Sequence, residues 1–377
     1  MTLFGRRSRG RRCGARTIRS RGRFTAKGSG RPFAFHVASA AAASLDPRQA
    51  RRSVTRARVH RWCLLTLVSL VGTAFAQISV TDDTGKTVTL PSPARRIVTL
   101  APHAAELVHA AGAGAAIVGV IKGSDYPAAV KALPVIGDAN ALDLERIAML
   151  NPDLIVTWPW TTPAQVSGLR ERGIAIFEAN ARTIDGIADD VDRIGALTGT
   201  DARASVAAMA LRERIARLTL RSVESPLRVF YQLSDVPLFT LGGHHLVSQA
   251  ITACGGQNVF AALTIPAPQV SVEAVLAANP QVIVAGTDAA RRPAWLDHWS
   301  RWPALDAARD RALFVVDANL LHRPGPRFVD GVVQLCEALA MARRALGRAA
   351  AAAAIIGPTT ARDADAPSSA PGGDKSR

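Results

Sequence analysis

The sequence predicts an α/β protein of two Rossmann-like lobes with mainly parallel sheets, joined by one long rigid helix. Three observations lead to this prediction. Short apolar, β-branched runs alternate with amphipathic stretches, the alternation occurs twice, and a helical stretch free of glycine and proline separates the two occurrences. Strands that alternate with helices are typical of βαβ units and parallel sheets.

The first 76 residues differ in composition from the rest of the chain. They hold 17 of the 46 lysines and arginines and one of the 30 acids, so 29 basic and 29 acidic residues remain from Gln77 onward. The net charge of +16 therefore belongs to this leader, and the remaining chain offers no charge signal for a nucleic-acid partner.

The leader ends in the pattern of a secretory signal peptide. Basic residues at 56–61 precede an apolar run over 62–75, which ends in the small-residue pattern of residues 74–76. The run is shorter than the ~20 residues that span a bilayer. We expect cleavage after Ala76 and a true start near Val59, with a nucleic-acid-binding arm or a twin-arginine signal as alternatives for the residues before it.

Residues 77–200 are predicted to form the first lobe. A β-hairpin is expected over 78–90, because two β-rich runs flank Asp83, Thr84 and Gly85. Alternating elements follow. Strands are predicted at 97–100, 117–121, 154–157 and 175–177, and helices at 104–111, 144–150 and 164–172.

Residues 201–223 are predicted to form the joining helix. Apolar residues occur there at helical spacing, and the stretch is bounded by Gly199 and Pro226. A helix of this kind is a stiff connection, so we expect little lobe closure. The second lobe is predicted over 224–347, and residues 348–377, rich in Ala, Pro, Ser and Gly, are predicted to form a disordered tail.

An internal repeat supports the division into two lobes. Residues 143–156 align without gaps with residues 271–284, and each copy has a helix cap, an acid in the first turn, an Asn-Pro turn and a buried strand. The acids are Glu145 and Glu273. Two interpretations stay open, namely helix stabilisation through the macrodipole and docking on a partner with two-fold symmetry.

Two cysteines, Cys254 and Cys336, remain outside the leader. An even number of cysteines in an exported chain favours a disulfide, which would close a loop of about 80 residues and add roughly 4.5 kcal/mol of stability. The alternative is two buried free thiols.

The chain lacks the motifs of common catalytic and metal sites, including G-x-S-x-G, H-E-x-x-H and the P-loop. The glycines at 112 and 114 follow a predicted helix, which indicates helix termination rather than dinucleotide binding. His244 and His245 have no Cys, Glu or Asp at metal-ligand spacing, so metal binding is the less favoured interpretation. No catalytic residue is nominated.

Aromatic residues after predicted strands are the candidate ligand contacts. Ligands of open α/β sheets bind beyond the carboxyl ends of the strands. Tyr126, Trp158, Trp160 and Phe239 occupy such loops. Packing in the core is the alternative for each, and it is least favoured for the two tryptophans because Pro159 ends the strand between them.

Six segments of the sequence resemble class III periplasmic solute-binding proteins of ABC importers, and within that class the cobalamin-binding subfamily. The likeness runs from about residue 80 to 344. The segments are ARRIVTLAPHAAEL (94–107), SDYP (124–127), LERIAMLNPDLIVTW (144–158), CGGQNVF (254–260), PQVSVEAVL (268–276) and RPGPR (323–327).

The resemblance implies a periplasmic, monomeric protein that is not an enzyme and has no cofactor, with a corrinoid such as vitamin B12 as its transported ligand. It implies delivery to an inner-membrane permease and its ATPase, with Glu145 and Glu273 docking on the permease. It also implies a disulfide between Cys254 and Cys336. The implied ligand contacts, together with Trp160 from the loop itself, are Pro102, His103, Tyr126, Trp158, Phe239, Asn319 and Arg323.

The sequence also departs from the subfamily. Three of its aromatic positions correspond here to Asn140 or Ala139, Ala267 and Leu320. With fewer aromatic rings to stack on a corrin, two other interpretations of the function stay open. One is a haem or iron-siderophore binder, with Tyr126, His103 or His322 as iron ligands. The other is a secreted enzyme on a doubly wound fold.

Overall fold

The computed structural model describes residues 77–219, 225–288 and 291–356. The predicted leader, with its signal peptide and cleavage site, lies outside the described residues. The same holds for residues 357–377 of the predicted tail. Within the described part of the chain, no helix combines the length and the apolarity needed to cross a membrane.

Ten strands and ten α-helices follow one another along the described chain, with short 3-10 turns between some of them. The strands are β1 Ile78–Thr81, β2 Thr87–Leu90, β3 Ile97–Thr99, β4 Ile117–Val120, β5 Leu154–Thr157, β6 Ala175–Glu178, β7 Leu227–Gln232, β8 Gly256–Asn258, β9 Val282–Thr287 and β10 Leu313–Asp317. The helices are α1 Pro102–Ala110, α2 Leu144–Met149, α3 Pro163–Glu171, α4 Gly186–Thr198, α5 Asp201–Thr219, α6 Leu246–Ala253, α7 Val272–Ala278, α8 Asp306–Arg309, α9 Ala318–Leu321 and α10 Phe328–Ile356.

The strands form one hairpin and two parallel sheets. The hairpin pairs β1 with β2 in antiparallel register, as the sequence predicts. The first sheet has the order β4-β3-β5-β6 and the second has the order β10-β9-β7-β8. Both sheets therefore place their first strand beside their third, and β5 and β9 are the equivalent strands of the sequence repeat. The predicted α/β fold of two lobes with parallel sheets is confirmed.

Helix α4 is absent from the elements that the sequence predicts. Its buried residues include Ile187, Val191 and Ile194, which recur at helical spacing, so the signal was present in the sequence. Helix α4 packs closely against α5. A Cβ atom on Gly195 would lie 2.2 Å from the Cβ of Ala204, so glycine is needed at this crossing.

The joining helix α5 spans 201–219, and residues 220–224 lie outside the described residues. Its buried side chains include Ala208, Leu211 and Ile215, which form part of a core cluster with residues of both lobes. Continuous apolar packing between the lobes leaves little room for one lobe to move independently of the other.

Helix α10 continues to Ile356, past the point at which the sequence predicts a disordered tail. Residues 348–354 include six alanines, and alanine has the highest intrinsic helix propensity. The second lobe also contains the disulfide between Cys254 and Cys336, which joins the end of α6 to α10 across 82 positions of sequence. The alternative of two free thiols is thereby excluded.

Candidate ligand-binding cleft

The carboxyl ends of strands from both sheets face a cleft between the lobes. On the first lobe, Trp158 follows β5 directly and residues 179–182 follow β6. A cavity of ≈ 370 Å³ lies there. It is lined by Trp158, Pro159, Trp160, Ala179, Asn180, Ala181 and Arg182 of the first lobe, and by His244, His245, Leu246, Pro266, Leu321, His322, Pro324 and Phe328 of the second.

Two tryptophans form the aromatic wall of this cavity. The ring centroids of Trp158 and Trp160 are 6.3 Å apart in an edge arrangement. The loop that carries them is held by a hydrogen bond of 2.8 Å between the hydroxyls of Thr157 and Thr161. Trp160 is 62% exposed, whereas Trp158 is half-buried and packs against the core. The wall therefore offers an anchored ring and a second ring at the rim.

A second, smaller cavity of ≈ 250 Å³ lies beside the first. Trp158 and His322 line both cavities, so the two are neighbouring compartments of one cleft. The second compartment is lined by Leu100, Pro102, His103, Ile121, Lys122, Ala139, Trp158, His322 and Arg323.

His103 lies behind Trp158 at the first lobe's side of the second compartment. Its ring meets the edge of Trp158 at 5.2 Å between centroids, and the residue is 1% exposed. Burial and, to a smaller extent, the positive charge of Arg323 lower the pKa of His103 to about 3. The ring is therefore neutral at physiological pH, and its Nε2 has no hydrogen-bond partner among the described residues.

The second lobe contributes three imidazoles to the larger cavity. His245 caps helix α6, since its Nδ1 accepts a hydrogen bond of 3.1 Å from the backbone of Val247. His322 lies 3.0 Å from the hydroxyl of Tyr231 through its Nε2. Burial lowers the pKa of both rings, and that of His245 falls to about 4. His244 is exposed in the same loop.

Ion pairs connect the lobes beside these compartments. Arg327 donates two hydrogen bonds to Glu106, of 2.6 Å and 3.0 Å, and the carboxylate of Glu106 is 2% exposed. The bond with Glu106 raises the pKa of Arg327. Gly325 of the second lobe lies close to helix α1 of the first, where a Cβ atom on it would be 3.3 Å from the Cβ of His103. The lobes are thus in direct contact at this edge of the cleft.

Arg323 forms the second connection between the lobes. It donates to Asp125 at 2.5 Å and to the side chain of Asn319 at 2.7 Å. Burial opposes ionisation of Asp125, but the bond and charge of Arg323 outweigh it and lower the pKa of Asp125. The guanidinium of Arg323 therefore already has a carboxylate partner, and Asn319 orients it.

The structure brings five of the predicted ligand contacts to the two cavities: Pro102, His103, Trp158, Trp160 and Arg323. The other three, Tyr126, Phe239 and Asn319, line neither. Tyr126 instead stacks against Arg327, with 4.2 Å from the guanidinium carbon to the ring centroid. Phe239 is half-buried and forms backbone bridges to residues 234 and 269.

Several lining residues were not nominated from the sequence. Residues 179–182 follow β6 directly, so the rule that ligands bind at strand carboxyl ends would have found them. Phe328 begins helix α10, and its sequence carries no signal that it faces the cleft. Among the described residues, no group of three or more His, Cys, Asp or Glu side chains is arranged to hold a metal ion.

Glu145 and Glu273 lie outside both compartments. Each is exposed in the first turn of its helix, α2 or α7. The caps predicted from the repeat are present, because Asp143 accepts from the backbone of Arg146 and Ser271 accepts from that of Ala274. The two acids thus occupy equivalent positions, one in each lobe.

Comparisons with known proteins agree with this geometry. A family model described as periplasmic binding protein matches residues 97–320. The vitamin B12-binding protein of Vibrio cholerae is 37% identical over 257 residues, which are 67% of this chain and 92% of that protein. The vitamin B12-binding protein of Yersinia pestis is 36% identical over 258 residues, which are 67% of this chain and 89% of that protein.

Solved structures show the same likeness. The periplasmic vitamin B12-binding protein BtuF of Vibrio cholerae is 35% identical, with a TM-score of 0.60, and the match covers 67% of this chain and 98% of that one. The periplasmic haem-binding protein RhuT from Roseiflexus sp. RS-1 is 26% identical, with a TM-score of 0.58, and the match covers 66% of this chain and 98% of that one.

Proposed function

The chain belongs to the family of periplasmic binding proteins, and on that premise we propose that it captures cobalamin or a related corrinoid in the periplasm. The observation that carries the proposal is the cavity of ≈ 370 Å³ between the lobes, with Trp158 and Trp160 on one wall. Aromatic rings supply large apolar contact area to a flat ligand. The names of the relatives support the same ligand class.

Capture is non-catalytic in this proposal, and the corrinoid is cargo rather than a cofactor. The protein acts as a monomer and hands the corrinoid to an inner-membrane permease driven by its ATPase. The ion pairs of Glu106 and Asp125 across the cleft support a small closure, because they join the two lobes directly.

The ligand is tested by titrating the purified protein with cyanocobalamin and, separately, with haemin. Absorption spectra after removal of free ligand identify which one the protein retains. We expect retention of cyanocobalamin at a ratio of one to one. Retention of haemin alone would contradict the proposal.

Haem is the second candidate ligand. It is favoured by the imidazoles beside the tryptophan wall, of which His322 lines both compartments. The likeness to the haem-binding protein RhuT points in the same direction. The titration with haemin tests this candidate in the same experiment.

Docking on the permease is assigned to Glu145 and Glu273. Their exposure and equivalent placement support a partner with two-fold symmetry. Charge reversal, Glu145→Lys or Glu273→Lys, is expected to reduce corrinoid uptake by cells while leaving the affinity of the purified protein unchanged. Glu171→Lys, on an exposed position of α3, is the control. A parallel loss of uptake and affinity would contradict the assignment.

The proposal includes export by a signal peptide that is cleaved after Ala76. The basic flank, the apolar run and the small-residue pattern at residues 74–76 support it. N-terminal sequencing of the periplasmic protein is expected to begin at Gln77, and a chain that begins upstream of residue 62 would contradict this.

A further inference from the structure

The loop that contains His244 is held by close backbone contacts with residues 261–266. A Cβ atom on Gly242 would lie 2.3 Å from the carbonyl oxygen of Ile265, and one on Gly243 would lie 2.1 Å from that of Ala261. The two glycines therefore let this loop press against residues 261–265, which only glycine permits at such distances. The backbone of Gly242 also donates to Pro266 at 3.0 Å.

Buried polar groups hold the same loop from below. Asn258 donates to the carbonyl of Leu241 at 2.7 Å and to the hydroxyl of Ser248 at 2.8 Å. Ser248 in turn donates to the carbonyl of Gly242 at 2.8 Å. These bonds fix the backbone that leads to the next residue, and a fixed backbone is one condition for a pre-organised binding site.

This loop presents His244 to the cavity, beside His245 and Leu246. No hydrogen bond or ion pair engages its ring within the described part of the chain. It lines the same cavity as Trp158 and Trp160. A flat macrocycle that stacks on one of these indole rings would leave its other face, and one axial position of its metal, open to a side chain such as His244.

The other imidazoles of the cleft are less suited to bind a metal. His245 uses the lone pair of Nδ1 for its helix cap. The Nε2 of His322 is engaged with Tyr231 and lies against Gly286, where a Cβ atom would be 2.7 Å away. His103 is 1% exposed behind Trp158.

We propose that His244 is an axial ligand of the metal of the bound tetrapyrrole, the cobalt of a corrinoid. This inference rests on the proposed function. An imidazole nitrogen donates its lone pair to cobalt(III), the water on that axial position leaves as H2O, and no electron is transferred. Neutral imidazole is a common ligand of transition metals. The site thereby selects corrinoids whose axial ligand can exchange.

The test compares two corrinoids. Cyanocobalamin keeps a cyanide on its cobalt, whereas aquocobalamin carries an exchangeable water. With the wild-type protein, we expect an imidazole-type shift of the absorption bands of aquocobalamin and no shift for cyanocobalamin. We also expect aquocobalamin to bind at least about tenfold more tightly than cyanocobalamin.

Two variants assign the ligand. His244→Ala and His244→Gln are expected to abolish both the absorption shift of aquocobalamin and its tighter binding relative to cyanocobalamin. His298→Ala, at an exposed position away from the cleft, is the control and is expected to behave as wild type.

Each other outcome decides against the proposal in a distinct way. An unshifted aquocobalamin spectrum in the wild-type complex overturns the metal bond while corrinoid binding stands. A shift that survives in both variants assigns the bond to another residue. Loss of cyanocobalamin binding in both variants assigns His244 to the general binding surface. If the wild-type protein binds neither corrinoid, the proposed function itself fails.

Discussion

At one end of the cleft the side chains pair with the opposite lobe, and at the other end they line a cavity. At the latch end, defined by Glu106, Asp125, Arg323 and Arg327, every charged group has an opposite charge from the other lobe. At the open end, defined by Trp158, Trp160 and His244, the side chains line a cavity instead. We therefore expect the charged residues of the latch end to hold the lobes together, and the side chains of the open end to contact the ligand.

The largest effect is expected from breaking the latch end at its buried pair. Arg327→Met removes both hydrogen bonds to the carboxylate of Glu106, which is 2% exposed and keeps only the more distant Arg323 at 3.7 Å. This change is expected to lower the free energy of unfolding by about 3 kcal/mol. Urea titration at pH 7.5 measures this change. Glu106→Gln leaves behind the partly exposed Arg327 and is expected to cost only about 1 kcal/mol. Equal losses for both variants would contradict the asymmetry.

At the open end, the largest loss of binding is expected for Trp158→Ala. Trp158 lines both compartments, so its removal is expected to weaken cyanocobalamin binding by about 2 kcal/mol, or roughly thirtyfold. Isothermal titration calorimetry measures the affinity. Trp160→Ala, at the exposed rim, is the matched control with a smaller expected loss. A larger loss of affinity for Trp160→Ala than for Trp158→Ala would contradict the prediction and make Trp160 the main aromatic contact.

His103 connects the two ends, and its neutral state predicts a dependence of stability on pH. Its folded pKa of about 3 lies below the ordinary 6.5, so the unfolded chain takes up the proton first as the pH falls. The stability that depends on neutral His103 is fully present above pH 6.5. It is lost between pH 6.5 and 3, by at most about 1.4 kcal/mol per pH unit.

The comparison of wild type with His103→Asn isolates this effect, because His245 and His322, whose pKa values burial also lowers, are present in both proteins. The free energy of unfolding is measured by urea titration at pH 7.5, 5.5 and 4.5. The first value lies about one unit above the ordinary histidine pKa, and the other two lie about one and two units below it. As the pH falls, the free energy of unfolding of the wild-type protein is expected to decrease more than that of the variant. Parallel curves would contradict a neutral, buried His103.

The smallest effect is expected for Asp125→Asn, at the exposed side of the latch end. Asp125 is 48% exposed, so its pair with Arg323 contributes less than about 1 kcal/mol to stability. Cyanocobalamin affinity is expected to stay within about threefold of wild type. A gain above about tenfold would mean that the released Arg323 binds the ligand, as the resemblance in sequence implies.

Most of the fold was predictable from local patterns. Alternating apolar runs predicted the parallel sheets, and the repeat at residues 143–156 and 271–284 placed β5 and β9 in equivalent positions. Helix α4 was missed although its apolar spacing was present, and α10 extends further than expected because alanines favour helix. These errors concern the bounds of elements and leave the architecture unchanged.

The site was predicted in part. The tryptophans were found because they follow a strand, and strand ends meet at one edge of a parallel sheet. Arg323 is predicted as a ligand contact, and it lines the smaller compartment. The structure adds that it pairs with Asp125, 198 positions away in sequence. No local pattern carries information on such a pairing.

Local sequence patterns were sufficient to predict the strand and helix order, the two-lobe plan and the aromatic loop after β5, because these depend on periodicity and turn chemistry within short segments. Which cleft residues pair with the other lobe, and which line the cavity as His244 does, became visible only in the folded arrangement. The physical reason is that electrostatic pairing and close packing act between segments far apart in the chain, where only the three-dimensional arrangement sets the distances.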